Sequence, residues 1–163
     1  DTTVSLPEDG GWRVFGKPLH SEDARSILEA LGGREHLVHT GFALLDRQSL
    51  RCEQGVQVSL VSLRSLRPEE MVEYLSSGIP DDKAGAYAVQ DRRFRLVTRI
   101  DGCVAGVMGL PLDQVGAALL KVGLPIADSQ SVAEGCSRLT GMPCCLAASV
   151  SGWGQDRDGH EGY

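Results

Sequence analysis

Three short polar blocks combine charged side chains with small or conformationally restricted neighbours. Residues 1–3 read Asp-Thr-Thr, residues 16–18 read Gly-Lys-Pro, and residues 81–90 contain an Asp-Lys pair followed mainly by small residues. A lysine between glycine and proline has a constrained backbone on both sides, so its ammonium group can be aimed. The small residues after the Asp-Lys pair would let a flat ligand approach the backbone. The blocks predict a site for an anionic small molecule, although each block alone also fits an exposed surface turn.

Two histidines, His36 and His39, lie close enough in sequence to be considered as ligands of one metal ion. Side chains three residues apart on a strand point to opposite faces of the sheet, so this pair cannot hold one ion together. The sequence contains no Walker loop, no G-x-G-x-x-G turn and nothing that resembles a Ser-His-Asp triad. The enzyme classes that depend on those motifs are therefore disfavoured.

The five cysteines include no C-x-x-C pair, and their odd number suits a reducing compartment better than a disulfide framework. A zinc site near the C-terminus is an open alternative, although its ligand spacings differ from those of structural zinc sites. Its ligands would be Cys136, Cys144, Cys145 and His160. The function would then be that of an interaction domain, and zinc content by elemental analysis would identify it.

The composition excludes further classes of protein. The 163 residues carry a net charge of −6, whereas nucleic-acid-binding proteins concentrate positive charge on one face. The hydrophobic content of 42% is that of an ordinary globular protein. No apolar run approaches the ~20 residues that a membrane span needs. We therefore expect a cytoplasmic protein with a small-molecule ligand and with neither nucleic acid nor membrane as a partner.

Hydrophobic periodicity predicts the elements that must position the polar blocks. A period of 3.6 residues predicts helices at residues 21–31, 68–77, 112–122 and 131–139. Alternating apolar residues predict strands at residues 12–15, 37–45, 56–63 and 94–100. The polar turn between the second and third of these strands predicts a hairpin. Strands mixed with helices in this order indicate an α/β fold with a mixed, twisted sheet flanked by helices.

Taken together, the blocks resemble a known family. Matching motifs occur in order at residues 1–4, 16–18, 33–41, 78–90 and 109–112. In this order they resemble the Maf nucleotide pyrophosphatases, which are similar in fold to the inosine triphosphate pyrophosphatases. The resemblance covers residues 1–124, and two of its motifs, Gly-Arg-Glu-His-x-Val-x-Thr-Gly and Asp-Lys-Ala-Gly-Ala-Tyr, are long enough to be specific.

The resemblance implies roles for three residues. It assigns Asp1 as the catalytic proton acceptor and links Thr2 and Gln90 to the choice of base. The combination of Thr and Gln is similar to that of the branch that acts on dTTP and UTP. A glutamine amide supplies a donor and an acceptor, which suits the O4 and N3–H edge of uracil or thymine.

The reaction implied by the resemblance is hydrolysis of a nucleoside triphosphate to the monophosphate and pyrophosphate. Such chemistry needs a divalent cation, Mg²⁺ or Mn²⁺, further cations for the polyphosphate and a base for water. We expect Lys17 and Lys83 to bind phosphate oxygens. Asp82 would orient Lys83 or help Asp1 to hold the metal. A homodimer is a further expectation from the family.

The chain departs from the family pattern at both ends. Family members begin with a strand and a Ser-x-Ser-Pro-Arg-Arg loop that contacts the phosphates, whereas this chain opens at Asp1 without a methionine. We therefore expect a fragment that is incomplete at the N-terminus. Residues 1–124 would form the Maf-like domain, and residues 125–163 an extension that is partly helical and ends in a flexible tail. The alternative function is a non-catalytic nucleotide-binding regulator of cell division on the same fold.

Since the expected loop supplies much of the family's phosphate site, we predict that this chain alone is poorly active or inactive. The measurement is release of pyrophosphate from dTTP in the presence of Mg²⁺. Turnover comparable to that of a full-length relative would contradict the prediction.

Overall fold

The structure is a computed structural model and describes residues 1–146. Five strands form one sheet: β1 (Thr2–Glu8), β2 (Gly11–Phe15), β3 (Glu35–Leu45), β4 (Cys52–Leu63) and β5 (Val97–Asp101). The helices are α1 (Ser21–Leu31), α2 (Pro68–Ser76), α3 (Val104–Val107), α4 (Leu112–Lys121) and α5 (Ser129–Thr140), with a short 3-10 turn at Ala84–Ala86. Within these residues, none of the helices is long and apolar enough to cross a membrane.

The strand order is β2-β1-β3-β4-β5, and every neighbouring pair is antiparallel. The α/β class with flanking helices is confirmed, but the described sheet is antiparallel where a mixed sheet was expected. Tight turns join β1 to β2 and β3 to β4, which makes both pairs antiparallel. Helix α1 then returns the chain, so β3 runs parallel to β2, but β1 lies between them. No parallel neighbours result among the described strands.

The core lies between one face of the sheet and helices α1 and α2. Helix α1 buries the apolar face predicted from its periodicity, formed by Ala24, Ile27, Leu28 and Leu31. The sheet contributes Val4, Leu6, Phe15, Val38, Val61 and Leu63. Alternate residues of each strand point to this face, so the register of the sheet decides which side chains reach the core.

The last strand differs from its predicted extent. The alternation of residues 94–100 predicts a strand from Phe94 onward, whereas β5 begins at Val97. Phe94 and Leu96 are buried as expected, but Arg95 between them has a φ of +50°. This left-handed conformation breaks the extended backbone. The alternation therefore marks the burial of Phe94 and Leu96 correctly, whereas Thr98, on the same predicted face, is exposed. Strand pairing also follows the alternation only in part.

The C-terminal segment is helical, as expected, over α5. Its Ala133 and Cys136 pack in a second, smaller cluster with Cys103 and Ala105, which flank or belong to α3. The expected flexible tail lies outside the described residues.

A buried hydrogen bond joins β3 to the loop at residues 82–90. His36 and Tyr87 are both buried, and His36 Nε2 lies 2.9 Å from the Tyr87 hydroxyl oxygen. Their rings meet edge to face with centroids 5.4 Å apart. His36 Nδ1 has no hydrogen-bond partner among the described residues. Burial lowers the pKa of His36 from 6.5 to about 4, because the imidazolium ion cannot be solvated in the core.

We predict that acid destabilises the protein through His36. Because the folded-state pKa of about 4 is below the unfolded value of 6.5, the unfolded chain binds the proton first. This contribution to stability is fully present above pH 6.5 and is lost as the pH falls towards 4. The free energy of unfolding should fall by up to ~3 kcal/mol over that interval.

The measurement is urea unfolding at several pH values for the wild type and for His36→Gln, which cannot titrate. The difference in unfolding free energy between the two proteins should shrink as the pH falls from 6.5. Equal pH dependence in both proteins between pH 6.5 and 5 would contradict the prediction.

Candidate active site

One cleft collects the residues predicted to form a site. It has a volume of about 390 Å³ and lies where the start of β1, the loop before α1, the loop at residues 82–90 and the end of α3 meet. All six predicted side chains line it: Asp1, Thr2, Lys17, Asp82, Lys83 and Gln90. Residues far apart in sequence are thus brought to one place, although their chemical roles stay predictions.

The sheet positions Asp1 and Thr2. The Asp1 carbonyl oxygen accepts a hydrogen bond from the Gly41 N–H at 2.9 Å, and the Asp1 nitrogen donates to the Gly41 carbonyl oxygen at 2.8 Å. These bonds extend the β1–β3 ladder, in which Thr2 pairs with Thr40. The Asp1 carboxylate accepts from the Thr2 N–H through Oδ1 at 2.9 Å. Asp1 also lines the cleft.

The two lysines are borne by loops that are bonded to each other. The Gly85 N–H donates to the Gly16 carbonyl oxygen at 3.0 Å, so the residues next to Lys17 and near Lys83 are held together. Gly85 has a φ of +75°, and a Cβ at this position would lie 3.0 Å from the Tyr87 ring and from Val4. Only glycine fits this conformation and this close approach without strain.

Asp82 and Lys83 form an ion pair at the rim of the cleft. Lys83 Nζ lies 2.5 Å from Asp82 Oδ1, and the side chain of Asp82 is 75% exposed against 30% for Lys83. The hydrogen bond from Lys83 and its charge, with a smaller contribution from the charge of Lys17, hold the pKa of Asp82 below its usual value. Both lysines therefore place positive charge where an anion would enter.

Two tyrosines anchor the loop that carries Lys83 and Gln90. Tyr87 enters the core and meets His36, while the buried Tyr74 hydroxyl oxygen accepts from the Ala88 N–H at 3.2 Å. The sequence argument did not find these anchors. A hydrophobic residue inside an otherwise polar block is the signal that could have indicated Tyr87.

The two histidines lie on opposite faces of β3, as predicted from their spacing. His36 enters the core, whereas His39 Nε2 lies 2.8 Å from the Ser5 hydroxyl oxygen on the other face. Neither histidine lines the cleft.

A chain of hydroxyl groups lies behind Thr2. Thr2 Oγ1 lies 2.9 Å from Thr40 Oγ1, and Thr40 Oγ1 donates to the Gly106 carbonyl oxygen at 2.8 Å. Thr40 is buried, with 1% of its surface exposed. The Gly106 carbonyl also accepts from the Gly109 N–H at 2.9 Å, which closes the turn after α3.

The cleft offers few side-chain ligands for a metal ion. Among residues 1–146, no three His, Cys, Asp or Glu side chains are grouped as metal ligands. Asp1 and Asp82 are the two carboxylates in the lining. This small set fits Mg²⁺, which usually binds through one or two carboxylates and completes its coordination with substrate phosphates and water.

The alternative zinc site gains no support from the described residues. Among residues 1–146, Cys136, Cys144 and Cys145 are not grouped closely enough to hold one metal ion. Burial, with a hydrogen bond from the Cys136 thiol to Cys144, raises the pKa of Cys136 to about 11. His160 lies outside the described residues.

Comparison with known proteins identifies the family. A family model described as Maf-like protein matches residues 1–122. A dTTP/UTP pyrophosphatase of Myxococcus xanthus is 43% identical over 126 residues, which is 77% of this chain and 61% of the relative. A dTTP/UTP pyrophosphatase of Desulfitobacterium hafniense is 39% identical over 128 residues, or 78% of this chain and 55% of the relative. A third, from Bordetella parapertussis, is 43% identical over 77% of this chain and 58% of its own length.

The chain thus spans little more than half of the length of these curated relatives. The matched residues include every residue that lines the cleft. The chain belongs to the Maf-like protein family.

Proposed function

We propose that the chain carries the nucleotide site of a nucleoside triphosphate pyrophosphatase that acts on dTTP and UTP. The observation that carries the proposal is the meeting of two carboxylates, two lysines and a Thr/Gln pair in a single cleft, in a chain whose relatives bear that name. The products are the nucleoside monophosphate and pyrophosphate, and the biological role is housekeeping of the nucleotide pool.

The lysines provide the phosphate-binding part of the site. Lys17 and Lys83 donate to phosphate oxygens and offset their negative charge. Asp82 holds the Lys83 ammonium group in place through their ion pair. The hydrogen bond between Gly85 and Gly16 holds together the two loop backbones that carry Lys17 and Lys83, so less backbone ordering is needed when the polyphosphate binds.

Asp1 provides the base. A water molecule attacks phosphorus at the α–β anhydride, its proton passes to the Asp1 carboxylate, and the bond from phosphorus to the bridging oxygen breaks. A bound Mg²⁺ or Mn²⁺ supplies neutralisation of the phosphate charge, and Asp1 and Asp82 are the residues that would hold it. The hydrogen bond from the Thr2 N–H orients the Asp1 carboxylate.

The base of the nucleotide is bound by Thr2 and Gln90. Both side chains line the cleft, and their hydroxyl and amide groups match the polar edge of uracil or thymine. A cytoplasmic location and a homodimer stay predictions.

The lysines allow a direct test with a matched control. We expect Lys17→Ala and Lys83→Ala each to weaken UTP binding about tenfold, because each removes a charged hydrogen bond to phosphate. Lys121→Ala removes the same charge from helix α4, where Lys121 pairs with Glu53 outside the cleft, and should leave the affinity unchanged.

The measurement is titration calorimetry of the chain with UTP and Mg²⁺. If the three variants lose affinity equally, the effect is one of net charge, and the assignment of Lys17 and Lys83 to the phosphates is wrong.

The role of Asp1 as the base can be tested with a variant whose side chain has nearly the same size and shape. Asp1→Asn keeps an oxygen for the Thr2 N–H but removes the base, so it should bind dTTP and release pyrophosphate at least about a hundredfold more slowly. Asp9→Asn, in the exposed turn between β1 and β2, is the matched control and should match the wild type.

Single-turnover conditions, with the chain in excess over labelled dTTP, make slow cleavage measurable. Identification of the products also locates the broken bond. An undiminished rate in Asp1→Asn would exclude Asp1 as the base. Binding of dTTP without cleavage, by this chain and by an intact homologous chain alike, would favour the non-catalytic regulator.

A further inference from the structure

We propose that Cys103 and Cys145 form a redox-sensitive pair, which a peroxide converts reversibly into a disulfide that ties the C-terminal segment to the Maf-like domain. Both residues are thiols in the structure. Cys103 lies within the residues that match the family model, whereas Cys145 lies beyond them. The disulfide is a property of the chain outside the nucleotide site, and its test does not depend on the proposed function.

The Maf-like domain holds Cys103 in one position. Cys103 is 3% exposed and lies between β5 and α3. Its N–H donates to the buried Ser59 hydroxyl oxygen at 3.0 Å, and its carbonyl oxygen accepts from the Val107 N–H at 2.9 Å. Its sulfur atom accepts from the Gly106 N–H at 3.2 Å. Hydrogen bonds to the backbone and to the side chain thus determine where this sulfur atom lies.

The C-terminal segment brings Cys145 to the same place. Helix α5 contributes Ala133 and Cys136 to a cluster with Cys103 and Ala105, and Cys145 packs against this cluster. The Cys145 thiol donates a hydrogen bond to the Cys103 sulfur atom. Because this bond already places the two sulfur atoms side by side, only a short approach leads to the S–S length of about 2.0 Å in a disulfide.

The surroundings of Cys103 favour its thiolate, which is the reactive form of a cysteine. The hydrogen bond from Cys145, with a smaller contribution from the Gly106 N–H, lowers the pKa of Cys103 from 9.0 to about 7. Burial and the charge of Asp113 act in the opposite direction but are outweighed. A large fraction of Cys103 is therefore ionised near neutral pH, so its sulfur atom is the nucleophile of the pair.

A second pair of thiols in the same segment offers an internal comparison. The Cys136 thiol donates to Cys144, and the pKa of about 11 leaves Cys136 protonated near neutral pH. Both of these residues are buried, whereas Cys145 is partly exposed. We therefore expect oxidation to join Cys103 to Cys145 and to leave Cys136 and Cys144 as thiols.

The oxidation takes two steps, with hydrogen peroxide as the oxidant. The Cys103 thiolate attacks one peroxide oxygen, the O–O bond breaks, and the departing hydroxide takes a proton to become water. The Cys145 sulfur atom then attacks the sulfur of the resulting sulfenic acid. An S–S bond forms, the S–O bond breaks, and the departing hydroxide takes the Cys145 proton as a second water. Two thiols are oxidised and one peroxide is reduced, and a dithiol reductant reverses the change.

The test is oxidation of the full chain with a small excess of hydrogen peroxide. Remaining thiols are alkylated, and the protein is digested with trypsin without reductant for mass spectrometry. Trypsin cleaves after Lys and Arg, so Cys103 lies in peptide 100–121, Cys136 lies in peptide 122–138, and Cys144 and Cys145 share peptide 139–157. We expect peptides 100–121 and 139–157 to be joined, at the sum of their masses less two hydrogen atoms, and to separate on addition of dithiothreitol.

Three serine variants identify the sulfur atoms and leave Cys103 in place. Cys145→Ser should abolish the joined peptides, whereas Cys144→Ser should retain them. Cys52→Ser changes an exposed cysteine at the start of β4 and is the matched control, so it should behave as the wild type.

Thermal unfolding gives a second measurement on the same samples. A disulfide restricts the unfolded chain, so oxidation should raise the Tm of the wild type by about 5 °C or more. The same treatment should not raise the Tm of Cys145→Ser, and dithiothreitol should return the wild type to its original Tm.

Several results would overturn the proposal. These are peroxide treatment that leaves peptides 100–121 and 139–157 separate, joined peptides that persist in Cys145→Ser, and a disulfide that involves peptide 122–138 instead. A linkage between two chains, seen as a doubled mass before digestion, would also overturn it. None of these measurements uses a nucleotide, so their failure leaves the proposed function untouched.

Discussion

The hydrogen bond between His36 and Tyr87 joins the sheet to the loop that carries half of the cleft. It lies in the core, where a polar group that lost its partner would cost about 1–3 kcal/mol. That penalty holds Tyr87 inward, and the residues on either side of it then have little freedom. The burial of the Tyr87 ring therefore helps to fix the positions of Lys83 and Gln90, which lie in the same loop. The neutral imidazole is a condition of this arrangement, since a charged His36 would be unsolvated.

The cleft combines two kinds of support. Asp1 and Thr2 are held by a ladder of backbone hydrogen bonds between β1 and β3, which restricts the positions of their backbone atoms. Lys17 and Lys83 are held by loops, at the ends of flexible side chains. This division suits the chemistry of the proposed substrate. A polyphosphate can be bound by cations in several geometries, whereas a pyrimidine ring and an attacking water molecule need hydrogen-bond donors and acceptors at fixed places.

The sequence predicts the local features of this molecule better than the distant ones. Helix α1 and the β3–β4 hairpin follow from periodicity and turn residues, because their determinants lie within a few positions of each other. The site residues could be named because their motifs are contiguous. The bond from Thr40 to Gly106 joins positions 66 apart, and no local pattern encodes it. The antiparallel order depends likewise on where β1 is inserted between β2 and β3, which is a property of the whole sheet.

The pairing of Thr2 with Thr40 also determines where the chain tolerates a change of length. Adjacent residues of a strand face opposite sides, so one residue added between Thr3 and Val4 would exchange the two faces of the part of β1 that precedes it. Thr3 would then replace Thr2 beside the cleft, while Val4 and Leu6 would keep their places in the core through the pairing with β2. The side chains of the exposed turn between β3 and β4 do not alternate between two faces of a sheet. Residues could therefore be added there without moving a side chain of the cleft. Variation in length is therefore expected in this turn rather than within β1, where it would change a side chain of the cleft.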